Sequence, residues 1–258
     1  SATVNPGFPS STYTVTITND LGCKAAPQVT VTTIQRPVAE ITGLDAICVG
    51  NTTSLTPASG GSWTSSNPNV ATVNASGQVY GIAPGFVTFT YTNTTTGCVS
   101  LPSDTLQVKL KPSITLLGSN TLCGNQTTSF LPNSGGTWLS SNTAIAMIDN
   151  NGMVTGINPG TATFTFTDSI TGCVSDASAT ITVQEKPQLI LTGPSELCVG
   201  NQTTIFSSTP GFWTVSNTNI ASINVSGIIT GIQPGSVKFV KTTISGCSSD
   251  SSVLITIH

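Results

Sequence analysis

Charge is the scarcest commodity in this chain. Only 7% of its 258 residues are Asp, Glu, Lys or Arg, against roughly a quarter in an ordinary soluble protein. Seven basic residues cannot build a surface that tracks phosphates, which excludes nucleic acid as a partner. A net charge of −3 leaves no polybasic patch for an anionic membrane. Histidine occurs once, as the last residue, His258, so His-based general acid–base and nucleophilic designs are removed. No apolar run approaches the roughly 18–20 residues of a membrane-spanning helix, so no direct membrane insertion is expected. There is no initiator Met and no basic-then-apolar leader, and the chain reads as an internal or mature piece of something longer. What fills the space is Thr, Ser, Asn and Gly, poor helix formers that suit outward strand positions and tight turns. The hydrophobic 37% arrives in alternation, as in Tyr13-Thr14-Val15-Thr16-Ile17 and Val87-Thr88-Phe89-Thr90-Tyr91, the period of half-buried strands.

The chain repeats itself. Trp63, Trp138 and Trp213 are 75 residues apart, as are Pro37, Pro112 and Pro187, and Gly77, Gly152 and Gly227. The pairs Pro84-Gly85, Pro159-Gly160 and Pro234-Gly235 keep the same step. Three units follow, 37–111, 112–186 and 187–258. Residues 1–36 match only the last hairpin of a unit, through Tyr13, Val15, Ile17 and Gly22-Cys23, and read as the C-terminal half of a preceding domain. Each unit offers about seven short strands with Gly, Pro and Asn at the turns, an immunoglobulin-like β-sandwich pattern. The fold expected is all-β, tandem immunoglobulin-like sandwiches in an elongated array. Units meet through Arg36-Pro37, Lys111-Pro112 and Lys186-Pro187 without a Gly/Ser spacer, which predicts restricted freedom between neighbours.

The seven cysteines alternate short and long steps. The repeat boundaries place Cys48 with Cys98, Cys123 with Cys173, and Cys198 with Cys247, predicting one disulfide within each domain. Cys23 is left unpaired, its partner assigned to the missing half-domain. A bridge closing a loop of about 50 residues adds roughly 3–4 kcal/mol on the chain-entropy account. The absence of Cys-x-x-Cys and of a partnering His argues against a metal site. Disulfides imply an oxidising, extracytoplasmic location.

The stretch from Trp63 through Ser66-Asn67-Pro68-Asn69-Val70-Ala71-Thr72-Val73, followed by Gly77-Gln78-Val79-Tyr80-Gly81-Ile82-Ala83-Pro84-Gly85, resembles the bacterial Ig-like group 2 domain. The likeness recurs three times over 37–258. The Cys pair and the Thr-rich hairpin ending in Gly-Cys are similar to versions in very large surface proteins of Bacteroidota, gliding-motility adhesins exported by type IX secretion among them. The resemblance implies a non-enzymatic stalk segment of an adhesin at the bacterial cell surface. Its partners would be neighbouring Ig-like domains of the same long chain, and surface glycans or other cell-surface proteins. Two other readings stay open: a glycan- or protein-binding module, and a subunit of an extracellular filament completed by strand addition.

Candidate sites are few. The ten acidic residues are scattered, only Asp176 and Asp250 being equivalent, so no carboxylate pair is built into the repeat and no catalytic residue is expected. Asp149-Asn150-Asn151-Gly152 has oxygen chemistry suited to calcium, but it aligns with Asn74-Ala75-Ser76-Gly77 and reads as a Gly turn. No cofactor or metal is called for. The Trp residues read as core, and Tyr80 as an isolated surface aromatic. Six Asn-x-Ser/Thr sequons reflect composition. Asp104-Thr105-Leu106 and Asp168-Ser169-Ile170 resemble the acidic-hydroxyl-apolar pattern of O-glycosylation in Bacteroidota, which makes Thr105 and Ser169 candidates.

Overall fold

The computed structural model describes residues 10–258, and the described residues contain strands and turns but no helix. They form two compact units, one ending at Lys111 and one running from Pro112 to His258. Three separate hydrophobic cores occur, one in the first unit around Leu55, Trp63, Phe89 and Tyr91, and two in the second. These last are built around Phe130, Trp138, Phe164 and Phe166, and around Ile205, Ile229, Phe239 and Ile257.

The middle repeat shows how the sequence makes a sandwich. One sheet orders Thr115–Leu116, Thr127–Leu131, Met153–Gly156 and Ala146–Ile148. Facing it, Thr121–Cys123 runs parallel to Ile181–Gln184, which pairs antiparallel with Gly160–Ala162. Gly136–Ser140 pairs with Phe164–Asp168. The last two segments named on the long Thr-rich strand, Gly160–Ala162 and Phe164–Asp168, are one chain path interrupted at Thr163. There the Thr163 N–H donates to Ser141 Oγ at 2.9 Å, so the strand changes partners with this N–H still bonded. Ser66 and Ser216 do the same for Thr88 and Lys238. Beyond the break, Phe166 and Phe164 donate to Ser175 Oγ and Ser178 Oγ at 3.0 and 2.9 Å. The return segment thus pairs through serine hydroxyls, repeated at Ser100 and Ser103 and at Ser249 and Ser252.

The Trp positions are equivalent but not identical in environment. Trp63 and Trp138 are buried, their indole N–H groups donating to the carbonyls of Pro57 and Pro132 at 3.0 and 3.1 Å. Trp213 is only half-buried and its indole nitrogen has no partner. Ser207 stands where the other repeats carry Pro57 and Pro132, and Lys241 replaces Tyr91 and Phe166 over the ring. The reading of the tryptophans as core holds for Trp63 and Trp138, whereas Trp213 packs against its core only partly buried.

The Gly turns are turns. Asp149 Oδ1 accepts from Asn151 and Met153, as Asn74 does from Ser76 and Gln78. Gly152 takes φ +77°, and a Cβ there would collide with the Phe130 carbonyl, which is why glycine recurs at this position. In the first unit, Ser10–Thr14 pairs with Gln28–Thr32 and Ile17–Thr18 with Lys24–Ala25 in an exposed hairpin.

Candidate functional site: a disulfide junction between repeats

Strand register fixes where each cysteine lies. Cys123 ends a strand and stands opposite Gln184, two residues before Lys186-Pro187, with Val183 opposite Gly160. The path from Gly160 to Asp168 then runs eight residues away from that end, about 25 Å of strand, before the hairpin that carries Cys173. Cys123 and Cys173 therefore lie at opposite ends of one sandwich, far beyond the ~7 Å Cα separation a disulfide spans. The last repeat has the same geometry: Cys198 follows Glu196–Leu197, paired with Thr256 and Ile257, while Cys247 caps the hairpin beyond Thr243.

The bond that forms joins repeats instead. Cys123 is bonded to Cys247, with Cα atoms 5.5 Å apart and a sequence separation of 124. Both are buried. Cys98 and Cys198 are free thiols, as is Cys23, whereas Cys48 and Cys173 are disulfide-bonded. The expected pairs Cys48–Cys98, Cys123–Cys173 and Cys198–Cys247 are thus all replaced, and the physical reason is the length of the long strand.

Around the bond the two repeats meet in polar contacts. Gln184 Oε1 lies 3.7 Å from Cys247 Sγ, a packing contact, since a disulfide sulfur carries no proton to donate. Lys186, the residue before the junction proline, pairs with Asp250 at 3.2 Å. The pair is solvent-facing on the Asp side and contributes at most about 1 kcal/mol. Its value is orientation, because Asp250 stands three residues after Cys247. A depression of about 330 Å³ beside the junction is lined by Gly124, Asn125, Gln184, Lys186 and Asp250. Closing a loop of this length stabilises the pair of repeats by about 5 kcal/mol on the chain-entropy account, more than any surface contact here.

The sequence profile of the bacterial Ig-like domain (group 2) matches residues 49–101 and 105–181, half of the chain. The chain belongs to that family. Its Ig-like repeats have counterparts among solved structures at low identity. A C-terminal 282-residue fragment of intimin, in complex with the intimin-binding domain of the translocated intimin receptor, is 14% identical with TM-score 0.39, over 56% of this chain and 63% of that one. Invasin, a bacterial integrin-binding protein, is 14% identical with TM-score 0.37, over 96% and 71%. A fragment of the S-layer protein SbsC is 17% identical with TM-score 0.25, over 96% of this chain and 44% of that one. The chain spans less than two thirds of the intimin fragment and less than half of the SbsC fragment. No curated protein matches the chain in sequence.

Other sequence candidates stay apart in space or on the surface. Among the described residues no group of three His, Cys, Asp or Glu is placed to hold a metal ion. Among the described residues no helix is long and apolar enough to cross a membrane. Thr105 and Ser169 are both exposed, and Ser169 Oγ donates to the Gly135 carbonyl at 2.7 Å. Its neighbour Asp168 accepts from the Thr171 N–H and hydroxyl and the Ile170 N–H, and these bonds hold its carboxyl below the usual Asp range. The serine pairs, whose hydroxyls accept the long strand's N–H groups while their own N–H groups donate to its carbonyls, went unread in the sequence, although their spacing, Ser100/Ser103, Ser175/Ser178 and Ser249/Ser252, keeps the repeat register.

Proposed function

We propose that this Ig-like chain is a non-enzymatic structural segment of an extracellular bacterial surface protein, in which disulfides between successive repeats resist bending and extension. The observation that carries this reading is the Cys123–Cys247 bond between two repeats. It requires an oxidising compartment, and it shortcuts the covalent path through most of two repeats. The finer assignment, a stalk of a gliding-motility adhesin exported by type IX secretion, rests on the Cys-bearing group 2 pattern in the sequence. The stalk partners its own neighbouring repeats, with O-glycans on exposed Thr105 and Ser169, which intact mass of the native protein tests. Pulling the oxidised chain by its ends checks the mechanical reading. The Cys123–Cys247 bond withholds about 430 Å of contour until a reductant is added. Equal extension with and without reductant would contradict the proposal.

A binding module is the second reading, and one observation favours it. Phe206 and Phe212 of the last repeat are 54% and 69% exposed, at positions occupied by Thr56 and Leu131 and by Ser62 and Thr137 in the other repeats. The stalk reading leaves adhesion to other parts of the long protein and predicts no saturable binding by these repeats themselves on glycan arrays or to cell-surface proteins. Saturable binding lost in a Phe206→Thr, Phe212→Thr variant would favour the module.

A further inference from the structure

The turn that holds Cys123 is reproduced around Cys198. Asn201 donates to the Cys198 carbonyl at 3.0 Å, Gly200 to Gly231 at 2.9 Å, and Gly231 to Asn201 at 3.1 Å. At Cys123 the matching bonds from Gln126, Asn125 and Gly156 are 2.9, 2.8 and 3.0 Å. His258 follows Ile257 in the strand that pairs with Leu197, in the register that Gln184 holds beside the Cys123–Cys247 bond. The difference is burial. Cys123 is 7% exposed against the next repeat, whereas Cys198 is an exposed free thiol. It lies in a depression of about 440 Å³ lined also by Pro194, Glu196, Leu197, Asn201 and His258.

We propose that this face of the last repeat is a covalent docking site for a further Ig-like repeat following on the same chain, whose Gly-Cys hairpin supplies the second sulfur. The occupant is argued from continuity with the established junction, where an equivalent hairpin, Gly246-Cys247, is bonded to the equivalent cysteine. The chain also carries the complementary half in its first complete repeat. There Gly97-Cys98 is a free hairpin thiol held by an Asn93 N–H to Cys98 carbonyl bond of 3.0 Å, matching the Thr243 to Cys247 bond of 2.8 Å. Such a repeat would seat its hairpin over Cys198 and leave its own strand-end cysteine for the next, so the bonds propagate along the array.

Bond formation needs an oxidant, and a glutathione-type disulfide suffices. The Cys198 thiolate attacks one sulfur of the oxidant, whose disulfide breaks and releases one glutathione thiol. The hairpin thiolate then displaces the second glutathione from Cys198. Two protein thiols are oxidised and one disulfide is reduced to two thiols.

The proposal rests on the stalk reading, and the experiment separates their failures. Glu-Lys and a second copy of residues 187–258 are appended to His258, the chain is oxidised in glutathione buffer, and its linkages are mapped by mass spectrometry. The expected result is Cys198 joined to the cysteine of the appended Gly-Cys hairpin, beside an intact Cys123–Cys247 bond. In a Cys198→Ser variant the appended hairpin cysteine should become alkylatable. Cys198 alkylated by iodoacetamide beside an intact Cys123–Cys247 bond overturns this proposal alone, and so does an appended hairpin cysteine still bonded in the variant. Absence of the Cys123–Cys247 bond from the same digest overturns the stalk reading instead.

Discussion

Lys241 sits buried at 6% exposure with its Nζ 4.5 Å from the centroid of the Trp213 ring. The cation–π attraction offsets part of the cost of burying a charge. In the other repeats an aromatic does this work without a charge: Trp63–Tyr91 and Trp138–Phe166 stand 5.0 and 5.1 Å apart, both tilted. Lys241→Phe should therefore stabilise the last repeat by about 1 kcal/mol, seen as a higher urea midpoint; a lower midpoint would show that the cation–π pair outweighs burial. Asp168 gives a pH prediction. Its folded pKa is depressed, first by the Thr171 N–H and then by the Thr171 hydroxyl. Its contribution is fully present above the unfolded value, about 3.9, and is lost as pH falls through the lower folded value. Asn93 makes the corresponding bonds to Thr95 and Thr96 in the first unit. Asp168→Asn should thus leave stability at neutral pH nearly unchanged and remove this acid-dependent loss, as pH-resolved urea unfolding would show.

At the scale of strands, the serine hydroxyls hold the return segment to the long strand. Ser175 is buried, and Ser175→Ala would leave the Phe166 N–H without its acceptor, at a cost of about 2 kcal/mol. An exposed control, Ser76→Ala, should cost far less, and equal losses in chemical denaturation would contradict the role given to Ser175. These elements also show what could be read in advance. Alternation located the strands around Trp63 and Tyr91, and the 75-residue step located the Gly turns at Asn74, Asp149 and Asn224. Cysteine connectivity was harder, because steps of 25 and 50 residues allow bonding within or between repeats. Deciding needs the ends of the sandwich: Cys123 beside Gln184, and Cys173 a strand length away. The Trp213 environment was illegible for another reason. It depends on two replacements, at Ser207 and Lys241, each distant in sequence from the ring it affects.

At the scale of the molecule, the Cys123–Cys247 bond makes two domains answer to unfolding together. Cys123→Ser should destabilise the last two repeats by about 3–5 kcal/mol without altering strand content by circular dichroism, whereas Cys98→Ser, which removes a free thiol, should be neutral. The most direct test is a disulfide map of the chain as it stands. Trypsin does not cut at Lys111-Pro112 or Lys186-Pro187, but cleavage at Lys109, Lys238 and Lys241, combined with cuts after Glu185 and Glu196 and cyanogen bromide cleavage after Met147 and Met153, isolates each cysteine of residues 110–258. The account predicts fragment 110–147 joined to fragment 242–258. Fragment 110–147 joined to 154–185, or 197–238 joined to 242–258, would mean bonding within repeats and would contradict it.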